Sequence, residues 1–339
     1  MNTKLTKVIA IVCTMVLCMS LFAGCSPKEP TAAPEPSEPV AINIAALKGP
    51  TGMGLVKLMA DSDAGETGNN NYTFSISGAI DEITPKLIQG TVDIAAVPAN
   101  LAAVLYNNTK GQVKVLAINT LGVLYIVEKG ETVKSVEDLR GKTIYASGKG
   151  ASPEYVLNYI LSSNGIDPDT DVTIEYKSEH AECLSALEAN EGAIAMLPQP
   201  FVTAAQLKDS SIRTALDLNQ EWDKIQKATG GTSSLVTGVI VARTAFIEEH
   251  ADAVNYFLDQ YKASVEYVNA NVEDAAALIE QYDIFTAAVA QKALPYCYIT
   301  FIEGAEMQDK LGGYLSVLYD SNPKSVGGAL PDEAFYYNR

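Results

Sequence analysis

The sequence predicts an α/β protein of two lobes, each a mostly parallel sheet flanked by helices, with a two-strand hinge between them. Three observations carry that prediction. Short apolar runs of strand length alternate with stretches of helical period, separated by loops of ordinary length, the pattern of parallel sheets covered by helices. The alternation starts afresh near Ser135, after a charged turn at residues 128–131. The 315 residues from Cys25 to Arg339 are too many for one ordinary hydrophobic core and suit two.

In chain order, residues 1–24 read as a signal peptide outside the fold. Lys4 and Lys7 form a positive start, and residues 8–22 are an apolar run too short for a comfortable membrane span. Ala23 and Gly24 then precede Cys25. Residues 25–40 carry prolines among Glu, Ser, Thr and Ala with no large apolar residue before Val40, so this stretch stays extended and solvated as a tether.

The first lobe, residues 41–125, is organised by INIAALKGPTGMG (residues 42–54). A buried strand to Leu47 meets a turn made by Gly49, Pro50, Gly52 and Gly54, then a helix carrying Leu55, Leu58 and Met59. Such a handover exposes N–H groups at the helix start, and in open α/β sheets ligands lie beyond the carboxyl ends of the strands. Thr51 and its neighbouring amides are therefore candidate contacts. Residues 72–77 are a second strand, and Asp81 caps a helix running to Gln89. Residues 92–97 are a third strand, ending in Pro98-Ala99-Asn100, where Asn100 is either a helix cap or a contact. Residues 101–106 are helical, and a fourth strand, residues 113–119, closes on Asn119 and Thr120. A polar residue ending a buried strand must find a partner or face a cavity.

In the second lobe, residues 126–234, a strand at 143–146 runs into the glycine loop SGKGAS (residues 147–152). Gly148, Lys149, Gly150 and Ser152 offer free amides, a cation and a hydroxyl at a helix N-terminus, which suits an oxyanion. Ser152-Pro153-Glu154 reads as a helix start with Ser152 capping. Further strands at 172–176, 193–197 and 212–216 alternate with helices at 181–189 and 201–207. In residues 235–339, the apolar strand 235–242 is expected to pair near 123–127 as the hinge. The remainder is nearly all helical and packs on the first lobe.

Composition narrows the function. The chain carries a formal charge of −17, and losing Lys4 and Lys7 with the leader makes it more negative still. A broad anionic partner such as nucleic acid is disfavoured, while a local cleft potential still admits a small anion. No dinucleotide fingerprint, phosphate loop, HExxH, CxxC or Ser-His-Asp spacing is present. His180 and His250 sit at helix starts among acids, where capping or solvation is expected. Cys183 and Cys297 read as buried thiols. The residues argue against an enzyme, and neither cofactor nor metal is expected.

The tail LFAGC resembles the bacterial lipobox, which makes Cys25 the lipidated N-terminus; an ordinary cleaved signal is the other reading. Beyond it, residues 88–100 (IQGTVDIAAVPAN), 136–161 (VEDLRGKTIYASGKGASPEYVLNYIL), 195–201 (AMLPQPF) and 238–258 (GVIVARTAFIEEHADAVNYFL) together resemble the extracytoplasmic substrate-binding lipoproteins of ABC importers, in the nitrate, sulfonate, taurine and thiamine-pyrimidine branch. The resemblance implies a type II periplasmic-binding fold, whose lobes close over a ligand. It carries the cleft loops onto Gly49, Pro50, Thr51, Gly52 and Met53, onto Pro98, Ala99 and Asn100, and onto Asn119 and Thr120. In the second lobe it carries them onto Gly148, Lys149, Gly150 and Ser152, and onto Gln199 beside Pro198. The expected function is capture of a small organic molecule or monoanion, sulfonate-, nitrate- or pyrimidine-like, for delivery to an ABC permease. The chain is expected to act as a monomer, lipid-anchored to the outer face of the bacterial cytoplasmic membrane. The alternative is an extracytoplasmic ligand-sensing module signalling to a membrane partner.

Overall fold

The computed structural model describes residues 39–339; the leader, Cys25 and nearly all of the tether lie outside them. Eleven strands build two sheets among the described residues: β1 Val40–Leu47, β2 Asn70–Ser77, β3 Ile94–Pro98, β4 Val113–Leu121, β5 Leu124–Lys129, β6 Thr143–Ser147, β7 Thr173–Lys177, β8 Ile194–Pro198, β9 Ile212–Asp217, β10 Val236–Arg243 and β11 Ile299–Ile302. The first sheet runs β11-β4-β10-β3-β1-β2 and the second β7-β6-β8-β5-β9.

In each sheet four strands share a direction and one reversed strand sits among them. In the second sheet that strand is β5, antiparallel to both β8 and β9. In the first it is β10, antiparallel to β3 and β4, with the short edge strand β11 also reversed. Each inserted strand is the first its sheet receives after the chain has come across from the other lobe. The crossings are residues 121–124, between β4 and β5, and residues 230–235, leading into β10.

The expected pairing of residues 235–242 with 123–127 is therefore corrected: β10 lies inside the first sheet, with Ile240 opposite Ala96 on one side and Ala117 on the other. Its composition requires this. Val239 and Val241 enter one apolar cluster, while Ile240 and Ala242 enter the other, so both faces are buried. A strand apolar on both faces belongs in the middle of a covered sheet.

Helices follow the strands as anticipated, with differences at their ends. Asp81 lies inside the single turn Ile80–Glu82, and the next helix, Thr84–Gln89, begins after it with proline in its first turn. Ser152 is the first residue of the helix Ser152–Ser163, whose N-cap is Ala151, and its hydroxyl is engaged elsewhere. The helix Leu218–Thr229, capped by Asp217, and strand β11 were not anticipated. The first buries the sole tryptophan, Trp222, between Tyr159 and Tyr314, with its indole N–H donating to Ser233 O at 3.1 Å in the second crossing.

The C-terminal helix Gly304–Ser321 packs against helices of both lobes. Met307, Leu311, Tyr314, Leu315 and Leu318 join one apolar cluster containing residues of both sheets. Cys183 and Cys297 are buried and unpaired. Among the described residues, no helix is long and apolar enough to cross a membrane.

Candidate functional site

A cavity of about 400 Å³ opens where the carboxyl ends of six strands converge. Leu47 and Lys48 mark the end of β1, Gly78 that of β2 and Pro98 that of β3; Ser147, Lys177 and Pro198 close β6, β7 and β8. Behind these ends begin the helices Ala99–Thr109, Ser152–Ser163 and His180–Ala189, none capped by the side chain of its own N-cap residue. First-turn amides have no carbonyl upstream in their own helix, and each helix start carries partial positive charge. The cavity thus gathers Lys48, Lys149, Lys177 and the helix start at His180, together with the carboxylates of Asp81 and Glu179. The two lobes touch at its rim, where a Cβ on Gly78 would stand 2.7 Å from Glu179 Oε2.

Seven of the sequence-derived candidates line this cavity. Gly49, Pro50 and Thr51 do so at β1, with the Thr51 hydroxyl donating to Leu47 O at 3.2 Å. Pro98 and Thr120 form part of the wall, and Gly148 and Lys149 face it from the second lobe. The other eight stand outside the lining. Gly52 packs so tightly on Leu47 O that a Cβ would come to 2.8 Å, and Met53 is core. Ala99 is buried behind Pro98, and Gly150 is exposed beyond the loop, where Ala151 and Pro153 supply the wall instead. Gln199 turns back, its Oε1 accepting from Thr203 Oγ1 at 2.8 Å and from Thr203 N at 3.2 Å.

Asn100 and Ser152 find each other. Ser152 Oγ donates to Asn100 Oδ1 at 3.1 Å and accepts from Asn100 N at 3.3 Å. Asn100 Nδ2 also donates to Ser325 O at 2.9 Å. One residue follows β3 and the other precedes the helix after β6, so this pair spans the lobes. Asn119 is fully buried beneath the floor. Its side chain lies against the Tyr261 hydroxyl, and among the described residues the hydroxyls of Thr120 and Thr237 have no hydrogen-bond partner.

The structure adds residues that the sequence reading passed over: the turn from Gly78 to Asp81, the segment from Lys177 to His180, Ser147, and Thr237 on β10. The first two follow the same strand-to-helix handover that singled out Gly49, and that rule could have found them. His180, expected only to cap or solvate, stands in the wall with Nδ1 2.6 Å from Ser147 Oγ. Burial pushes its pKa down to about 4, and the positive helix start opposes a proton in the same direction. The Phe201 ring lies 5.3 Å away.

Lys149 Nζ sits over the Tyr176 ring at 5.6 Å and Lys177 Nζ over Tyr145 at 5.2 Å. Lys177 is also paired with Glu175 at 3.2 Å, whereas Lys48 and Lys149 have no carboxylate partner among the described residues. Leu47, Ile80, Val123 and Leu124 supply apolar wall. Among the described residues no group of three or more His, Cys, Asp or Glu could hold a metal.

A family model described as the periplasmic phosphonate substrate-binding protein of ABC transporters matches residues 64–293. Among solved structures, an ABC transporter from Parabacteroides distasonis is 24% identical with a TM-score of 0.71, covering 88% of this chain and 99% of its own. The alkanesulfonate-binding protein SsuA from Xanthomonas axonopodis pv. citri, bound to MOPS, is 16% identical over 87% of this chain and 96% of its own, with a TM-score of 0.68. The aliphatic sulphonate-binding protein SsuA from Escherichia coli is 18% identical over 89% and 93%, also with a TM-score of 0.68. No curated protein sequence matches the chain.

Proposed function

Because the chain belongs to the phosphonate-binding family of periplasmic ABC-transporter substrate-binding proteins, we propose that it captures a small organic oxoanion, a phosphonate or a sulfonate, between its lobes and hands it to a membrane permease. The observation that carries this reading is the meeting of Lys48, Lys149 and the helix start at His180 with an apolar wall in one cavity, whose lining also holds Asp81 and Glu179. The donors suit the oxygens of the head group, and Leu47, Ile80 and Leu124 suit a short carbon chain. In this reading the residues before the crossing at 121–124 and those after the crossing at 230–235 form one jaw, and the residues between the crossings, from β5 on, form the other. Ligand favours the closed arrangement to the extent that it touches both jaws, and that arrangement is what a permease reads. Cys25 is the lipid anchor in this reading, and residues 25–40 the tether.

The test is titration of the purified protein with methylphosphonate, methanesulfonate, nitrate and a pyrimidine, read by calorimetry and thermal melting. At a hundredfold excess over Kd, a bound oxoanion raises Tm by roughly 5 °C. Lys149→Ala is expected to weaken that binding about tenfold with Tm of the free protein unchanged. Binding of the pyrimidine alone would reject the oxoanion reading.

A further inference from the structure

The two lobes also meet away from the crossings. One apolar cluster draws its buried members from the first sheet and the helices on it, among them Ile44, Leu55, Phe257 and Ile284. Another draws them from the second lobe, among them Val127, Leu187, Leu197 and Phe201. Among the described residues Phe285 alone packs against both. Its ring meets that of Phe201 edge to face, with centroids 4.9 Å apart and planes at 81°.

The backbone aims Phe285 across the gap. The helix Val272–Gln281 ends in a turn where Asp283 N donates to Glu280 O and Ile284 N to Ile279 O, both at 3.0 Å. Asp283 is left-handed there, with φ of 53°, a conformation that a short polar side chain tolerates. Ile284 is then buried in the first lobe, its Cδ1 3.8 Å from where a Cβ on Gly52 would stand. That anchor fixes the neighbouring Phe285 near the start of the helix after β1. The next helix, Ala287–Ala293, packs on the second lobe's helix Phe201–Lys208. Phe201 also meets His180 of the cavity wall at 5.3 Å, but neither phenylalanine lines the cavity.

Swinging the lobes apart parts these two rings and puts apolar surface of both into water. The contact therefore acts on the balance between open and closed lobes and not on the ligand itself. Apparent affinity is the intrinsic affinity scaled by the fraction of protein in the binding-competent state. A contact made only in the closed arrangement raises that fraction before any ligand arrives.

We propose that Phe285 is a latch that holds the lobes closed through Phe201, and so sets affinity without touching the ligand. The inference rests on the capture reading above and adds to it a residue outside the cleft.

The experiment compares wild type, Phe285→Ala and Phe285→Leu, first by small-angle scattering of the ligand-free protein. Binding of methylphosphonate and of methanesulfonate is then measured by calorimetry. Phe285→Ala is expected to enlarge the radius of gyration and to weaken binding about three- to tenfold, the scale of one aromatic pair. Phe285→Leu keeps apolar bulk on the first lobe while removing the ring, and it should shift both readings the same way if the alanine variant folds poorly. In a Phe201→Ala background the Phe285→Ala change should alter affinity less than about twofold, because its partner is already gone. An unchanged radius of gyration, or an equal loss of affinity with and without the Phe201 ring, overturns the latch and leaves capture in place. If wild type binds neither anion, oxoanion capture falls, and the scattering comparison alone decides the latch.

Discussion

Glu128, on β5, is a carboxylate taken wholly out of water. Burial alone would raise its pKa, but it accepts hydrogen bonds from Thr132 N at 2.9 Å, Thr132 Oγ1 at 2.5 Å and Val133 N at 3.1 Å, and it pairs with Arg213 at 2.6 Å. Together these hold it below the usual glutamate range. A folded-state pKa below the unfolded one means stability that is present above the unfolded value, near 4.5, and is lost as pH falls through the folded value. Acid melts should therefore show wild-type Tm dropping below that point more steeply than Tm of Glu128→Gln. Glu128→Ala strips Thr132 N, Val133 N and the Thr132 hydroxyl of their acceptor, while Arg213 keeps Gly130 O and Val133 O, and it is expected to cost about 3 kcal/mol in a denaturant titration. Asn119 gives the opposite expectation. Its amide is buried with only the Tyr261 hydroxyl beside it, so Asn119→Leu, which removes polar atoms that are poorly satisfied, should leave Tm near wild type.

At the scale of elements, Gly122 in the first crossing has no room for a side chain: a Cβ there would stand 2.3 Å from Asn219 Oδ1. Gly122→Ala should lower both Tm and ligand affinity, and Asn219→Ala in the same chain should restore them; failure of that rescue would mean the alanine acts on the backbone of the crossing. Elements were legible where their signal is local. Ile42 to Leu47 and Ile194 to Leu197 are apolar runs that can only be covered strands, and Gly49–Thr51 and Gly148–Lys149 fall at handovers that the chain spells out. Partners were not legible. Asn100 and Ser152 are each polar residues at a helix start, and nothing in their neighbourhoods states that each is the other's partner 52 positions away. The same holds for β10, whose apolar faces demand two neighbours without naming them. The helix Leu218–Thr229 was missed because Asp217 both ends β9 and caps the helix, leaving no loop between them.

Across the whole molecule, the two jaws share more than the crossings. The cluster reaching through the C-terminal helix contains Val97 and Val115 of the first sheet with Ile126 and Ile144 of the second. Two lobes with a common core should melt together, so calorimetry of the ligand-free protein is expected to show one cooperative transition, and two resolved peaks would separate them. The placement of Trp222 then has an optical consequence. Its ring lies between the second lobe's Tyr159 and the C-terminal helix's Tyr314, its N–H is held by the returning crossing, and it is no part of the cavity wall. A ligand cannot quench it by contact. If the capture reading holds, a change in emission on adding ligand reports movement between the lobes and not contact with the ligand, with no label to attach.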